Sequence, residues 1–172
     1  MTRATVPAAD RHGDGLTSDY APGQDAPLRP YAGVMAAYAA SVAGAAALVR
    51  RRRYPLPDLT AADVALVGMA THKLSRLMAK GPVTSPLRAP FTRLKGVSGP
   101  AELTEEARGE GARKAVGELL TCPFCLSQWL ATAFMFGLVV APRGSRLTAG
   151  VFASLTVADF LQFAHAFAEQ QT

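Results

Sequence analysis

The chain is 172 residues long, 49% hydrophobic, with 18 Lys and Arg against 13 Asp and Glu and a formal net charge of +5. That length holds one domain plus a tail, or one small bundle, and two cysteines cannot build a secreted disulfide scaffold. Nor does the basic surplus read as a nucleic-acid surface. No aromatic-interleaved basic strand carries it, and four arginines, Arg50 to Arg53, directly follow an apolar run, where membrane-flanking clusters sit.

Residues 1–29 are rich in Pro, Gly, Asp, Thr and Ser and show little apolar periodicity, which predicts a disordered polar tail. A cleavable leader is not expected, because the first apolar run starts only near Tyr31 and its basic cluster lies on the wrong side. The membrane domain is expected over 30–168. Its first span, 31–49, holds no charge and reaches about 28 Å as a helix, close to the hydrocarbon thickness. Gly33, Ala37, Ser41 and Ala45 form one row of small residues on it, and Ala36, Ala40 and Gly44 another. Such rows let helices approach closely in lipid, so a protein partner or a second copy is expected there.

After the breaker Tyr54–Asp58, Thr60 is the expected N-cap of a helix over 61–79. Its uncharged stretch is short, with Asp63 before it and His72, Lys73 and Arg76 after it. Each central Lys or Arg costs about 2.5–3.5 kcal/mol on the insertion scale. A partly inserted helix, with Lys73 and Arg76 snorkelling outward, is therefore expected ahead of a fourth span. A Pro- and Gly-punctuated basic loop over 80–103 follows, and Thr104 is expected to cap a short charged helix running to Glu118. Uncharged residues 123–140 form the next predicted span. After a turn at 141–146, 147–167 forms the last. Asp159, Gln162 and His165 recur every third residue there, making an intramembrane polar stripe that should face other helices or water.

Two topologies follow. If 61–79 does not cross, residues 50–118 share one side and carry 13 of the 18 Lys and Arg. The positive-inside rule then makes that side cytoplasmic, and this is the expected arrangement. If 61–79 does cross, Arg50–Arg53 and the basic loop fall on opposite sides and the charge rule has no clean solution. Cys122 and Cys125 then face outward, where a disulfide is the default.

The sharpest motif is Cys122-Pro123-Phe124-Cys125 at the mouth of a span. Proline favours the first helical turn, which puts Cys122 at the N-cap, where unsatisfied N–H groups stabilise a thiolate. Three chemistries use such a pair: dithiol–disulfide exchange, part of a zinc site with His72 as a third ligand, or packing of two small side chains. The second motif is the basic set His72, Lys73, Arg76, Arg88 and Arg93, suited to anionic lipid headgroups or another phosphate or carboxylate. Arg76, Arg88 and Arg93 are expected to converge on one polar site.

The block ATHKLSRLMAKGPVTSPLRAPFTRLKG, with GELLTCPFCLSQWLA after it, resembles a bacterial membrane-protein family catalogued as domain of unknown function 1360. The resemblance covers about residues 55–168. His72, Lys73, Ser75, Arg76, Thr84, Ser85, Arg88, Pro90, Phe91, Cys122, Cys125 and Trp129 occupy its pattern. It implies a membrane protein, assigns no reaction, and includes a member group linked by name to sporulation.

The expectation is an all-α, polytopic transmembrane bundle in the cell membrane, acting as a structural or binding module. Its partners are the lipid bilayer and anionic headgroups, with no nucleic acid. A membrane thiol–disulfide oxidoreductase using Cys122 and Cys125 is the alternative. A small carrier or channel using Asp159, Gln162 and His165 comes third.

Overall fold

The computed structural model describes residues 28–171, so the tail expected to be disordered over 1–29 lies outside the described residues except for Leu28 and Arg29, which open the first helix. Four long helices dominate: α1 Leu28–Arg52, α2 Ala61–Lys80, α5 Pro123–Val140 and α6 Pro142–Glu169. Between α2 and α5 come a 3-10 turn (Pro82–Thr84), α3 Ser85–Arg88, strands β1 Thr92–Gly99 and β2 Glu102–Ala107, and α4 Gly111–Thr121. Helices α1, α5 and α6 are long and apolar enough to cross a membrane.

Helix α2 starts where expected. The Thr60 hydroxyl accepts from the Asp63 N–H, and the Asp63 carboxylate accepts in return from the Thr60 N–H. Its buried residues, Asp63, Val67, Ala70, Thr71, Ser75 and Ala79, recur at helical spacing along its whole length. Three cross-links fix its direction. Arg146 donates to Asp63 at 2.8 Å, the Thr156 hydroxyl donates to the Met69 carbonyl at 2.8 Å, and Lys73 donates to Asp159 at 2.6 Å. Partner numbers rise together, so α2 and α6 run parallel over this stretch. Lys73 does not reach outward as the snorkelling expectation held, because a carboxylate on α6 neutralises it inside the bundle. Arg76 turns to Glu102 of the hairpin instead.

Helix α6 begins at Pro142 rather than 147, since proline is tolerated in the first turn, and only Ala141 separates it from α5. The chain reverses tightly there: a Cβ on Gly137 would stand 2.5 Å from the Ser145 hydroxyl, so no larger residue fits unchanged. Helix α1 runs parallel to α5. Tyr38 shares a 2.8 Å hydrogen bond with Thr132 and meets Trp129 edge-on, while Tyr31, about two turns earlier, donates to Glu118 near the end of α4. The half-buried residues of α1 include Val34, Tyr38, Val42, Ala45 and Val49. Of its small rows, Gly33, Ala37, Ser41, Ala36, Ala40 and Gly44 are all exposed. Small residues do pack closely elsewhere, at Ala70 of α2 and Ala149 and Ala153 of α6.

The four long helices therefore alternate in direction. One end of the bundle carries Arg50–Arg53, the 53–60 linker, the Ala141 turn and the Asp63–Arg146 pair. The other carries everything from Gly81 to Cys122.

That second end adds a small two-stranded sheet to the helical bundle. The segment expected as a loop over 80–103 and a helix from Thr104 holds an antiparallel hairpin, with Arg93 opposite Glu106, Val97 opposite Leu103, and register irregularities at Leu94/Gly96 and Val97/Gly99. Pro100 and Ala101 make the turn, Ala101 in the left-handed region (φ 55°). The irregularities break the period-2 alternation, and the hairpin carries more charge than apolar residue, so neither strand announces itself. Helix α4 packs onto the hairpin base so closely that a Cβ on Gly117 would stand 2.6 Å from the Phe91 carbonyl oxygen.

Candidate functional site at the hairpin end of the bundle

Arg88 organises this end. It is 1% exposed, and all its guanidinium nitrogens are engaged. Nε and Nη2 donate to the two Glu105 oxygens at 3.0 and 2.6 Å. Nη1 donates to the Met78 carbonyl and the Thr84 hydroxyl, both at 2.6 Å, and Nη2 also reaches the Gly81 carbonyl and the Ser85 hydroxyl. The planar fork thus ties the end of α2, the 3-10 turn, α3 and strand β2 together. Thr92 adds a 2.6 Å hydrogen bond to Glu105. The hydrogen bonds from Arg88 hold the Glu105 carboxyl below the usual carboxylate range, outweighing the burial that raises it, and Thr92 and Ser85 assist.

The expected convergence of Arg76, Arg88 and Arg93 is therefore not what forms. Arg88 is spent on Glu105, and Arg76 donates through Nε and Nη2 to Glu102 at 3.0 and 2.5 Å. Arg93 lines a shallow recess of about 400 Å³ instead, together with Arg108, Lys114 and Glu118. Beside it, Arg108 and Arg113 both donate to the Pro90 carbonyl oxygen, so two guanidinium groups share one neutral acceptor. Lys95 pairs with Glu106 across the strands at 2.7 Å. His72 is exposed on α2.

The cysteines sit as their motif predicts. Cys122 is the N-cap of α5, Pro123 opens the helix, and the Cys125 N–H donates to Cys122 Sγ at 3.1 Å. The two are joined in a disulfide. His72 does not join them: among the described residues no three His, Cys, Asp or Glu side chains gather as metal ligands. The polar stripe of α6 also divides. Asp159 meets Lys73, whereas His165 pairs along its own helix with Glu169 at 3.3 Å and Gln162 is exposed.

Sequence reasoning missed Glu105 and Thr92 because their strands went unseen. It missed the Asp63–Arg146 pair because its members stand 83 residues apart. The signal available for Glu105 was only that a fully buried Arg88 requires a carboxylate.

An end-capped bundle of long apolar helices with its buried charges paired is the architecture of a small membrane-type helical protein. The chain belongs to the family described as "Protein of unknown function (DUF1360)", whose model matches residues 66–165. It is 29% identical over 86 residues to "Sporulation protein YjcA" of Bacillus subtilis (strain 168), a match spanning 48% of this chain and 73% of that protein. No solved structure matches.

Proposed function

We propose that the chain is a multi-pass protein of the cell membrane in which all four long helices cross, serving as a structural or binding module. The carrying observation is that α2 lies beside α6 with Lys73 and Asp63 both neutralised by α6 side chains. Pairing removes most of the cost that makes α2 too polar to cross alone. The apolar surface left outward agrees: Phe160, Leu161, Phe163 and Phe167 are each more than 60% exposed on α6, a density suited to lipid.

Four crossings separate the two ends of the bundle. The Lys and Arg count does not choose between them, with six at the Arg50–Arg53 end and seven from Lys80 to Lys114, so the orientation rests on the cysteines, with the hairpin end outward and the Arg50–Arg53 end in the cytoplasm. A disulfide at Cys122 and Cys125 fits that outward side, because such bonds persist in oxidising surroundings. The basic cytoplasmic face is thus the Arg50–Arg53 end rather than the hairpin.

The test is labelling of Cys122 and Cys125 in intact cells with a membrane-impermeant maleimide, before and after an impermeant reductant. Labelling only after reduction is expected. Labelling that requires permeabilisation of the cells would overturn this orientation. A second reading, thiol–disulfide exchange, is favoured by the disulfide standing at a helix N-terminus, where a released thiolate is stabilised. It predicts that Cys122→Ser and Cys125→Ser each abolish function, whereas the structural reading expects function to survive both.

A further inference from the structure

At the end of the bundle opposite the hairpin, the last turns of α1 and α5 line a shallow, open slot of about 530 Å³. Ala46 and Val49 form one wall and Phe136 and Val139 the other, so its body is apolar. Arg50, Arg53 and Tyr54 line its mouth. Arg53, the residue after α1, lies in the left-handed region (φ 52°), a position usually given to glycine. The Arg53 N–H donates to the Arg50 carbonyl and the Tyr54 N–H to the Val49 carbonyl, so the helix end is closed and Arg53 is held beside Arg50. Neither arginine has a carboxylate within ion-pair distance among the described residues.

Two unpaired guanidinium groups over an apolar slot are complementary to one class of ligand, a phosphate carrying a hydrocarbon chain. Guanidinium groups recognise phosphate oxygens through paired N–H donors. The slot lies between two helices that are each long and apolar enough to cross a membrane, so its body sits at acyl-chain depth and its mouth at headgroup depth. The arrangement differs from a diffuse basic patch, because Arg51 and Arg52 belong to the same run and do not line the slot.

We propose that this slot binds a single anionic phospholipid, its phosphate held by Arg50 and Arg53 and one acyl chain lying against Val49, Phe136 and Val139. The proposal rests on the multi-pass reading above.

The full chain, purified in a neutral detergent, is loaded with phosphatidylglycerol or phosphatidylcholine of identical acyl chains, and bound lipid is counted by native mass spectrometry. One phosphatidylglycerol per chain is expected, retained about tenfold better than phosphatidylcholine, with R50Q/R53Q lowering retention by a similar factor. R51Q/R52Q should retain the lipid as wild type does, and Val139→Trp, which fills the slot, should lose it with the arginines intact. Equal losses from R50Q/R53Q and R51Q/R52Q would replace the site with diffuse attraction. Competition by glycerol phosphate at the same concentration as the lipid would make it a soluble-phosphate site. Wild type that inserts with four crossings yet holds no lipid overturns this inference alone. A chain that fails to insert overturns the multi-pass reading as well.

Discussion

Arg88 and Glu105 are 1% and 5% exposed, and every donor of the guanidinium is used. Removing one partner strands a buried charge, which costs about 3–5 kcal/mol. Arg88→Ala is therefore expected to loosen the hairpin end, read as a clear drop in melting temperature in detergent and as rapid proteolysis between β1 and α4. Arg88→Lys should recover only part of the loss, since a single ammonium cannot reach α2, α3 and β2 together. The pH dependence follows from the same pair. The folded carboxyl of Glu105 sits below its unfolded value of ~4.3, so its contribution is present above that pH and disappears as the pH falls through the folded value. Glu105→Gln should flatten this acid limb of the stability profile, and an unchanged limb would remove Glu105 from the explanation. Arg88 stood out in the sequence as an anion ligand. Its real partner was hidden because nothing local ties Glu105 to a residue 17 positions earlier.

The long helices were legible because apolar runs of span length and a Thr60 cap are local features. The hairpin was not, because register irregularities and alternating charge disguise strands that are stabilised by Arg88 and by α4 rather than by their own pattern. Helix α2 was the instructive case. Its charges argued against crossing when read alone, and the counter-charges at Arg146 and Asp159 are what the four-crossing proposal sets against that argument. Lys73→Met leaves Asp159 without its cation and is expected to destabilise by about 1–3 kcal/mol, while K73M/D159L should recover most of it. Thermal unfolding of the three variants in one detergent decides this. A double mutant no better than the single would show that the two helices hold together without the pair.

Across the molecule, the element between the two apolar pairs does the positioning. Residues 81–122 close one end of the bundle, the disulfide fastens the mouth of α5, and the Arg50–Arg53 cluster is left at the other end. Sequence reasoning identified the membrane character and the family-bearing blocks, but it placed the basic loop and the arginine run on one side. In the bundle the two stand at opposite ends, because α2 pairs in parallel with α6, and that pairing is a long-range fact no window of residues contains.

The same pairing has a consequence for biogenesis. Asp63 and Lys73 leave the ribosome 83 and 86 residues before the partners that neutralise them. During that interval α2 is a polar segment with no counter-charge, a poor candidate for release into lipid. It is expected to wait at the insertion machinery, or on the wrong side, until α6 arrives and draws it in. A chain ending at Ala141 should then leave α2 uninserted. In microsomes, a glycosylation acceptor placed in the hairpin should be modified efficiently in the full chain and poorly in the truncated one. Equal modification of both would mean that α2 enters the bilayer unaided.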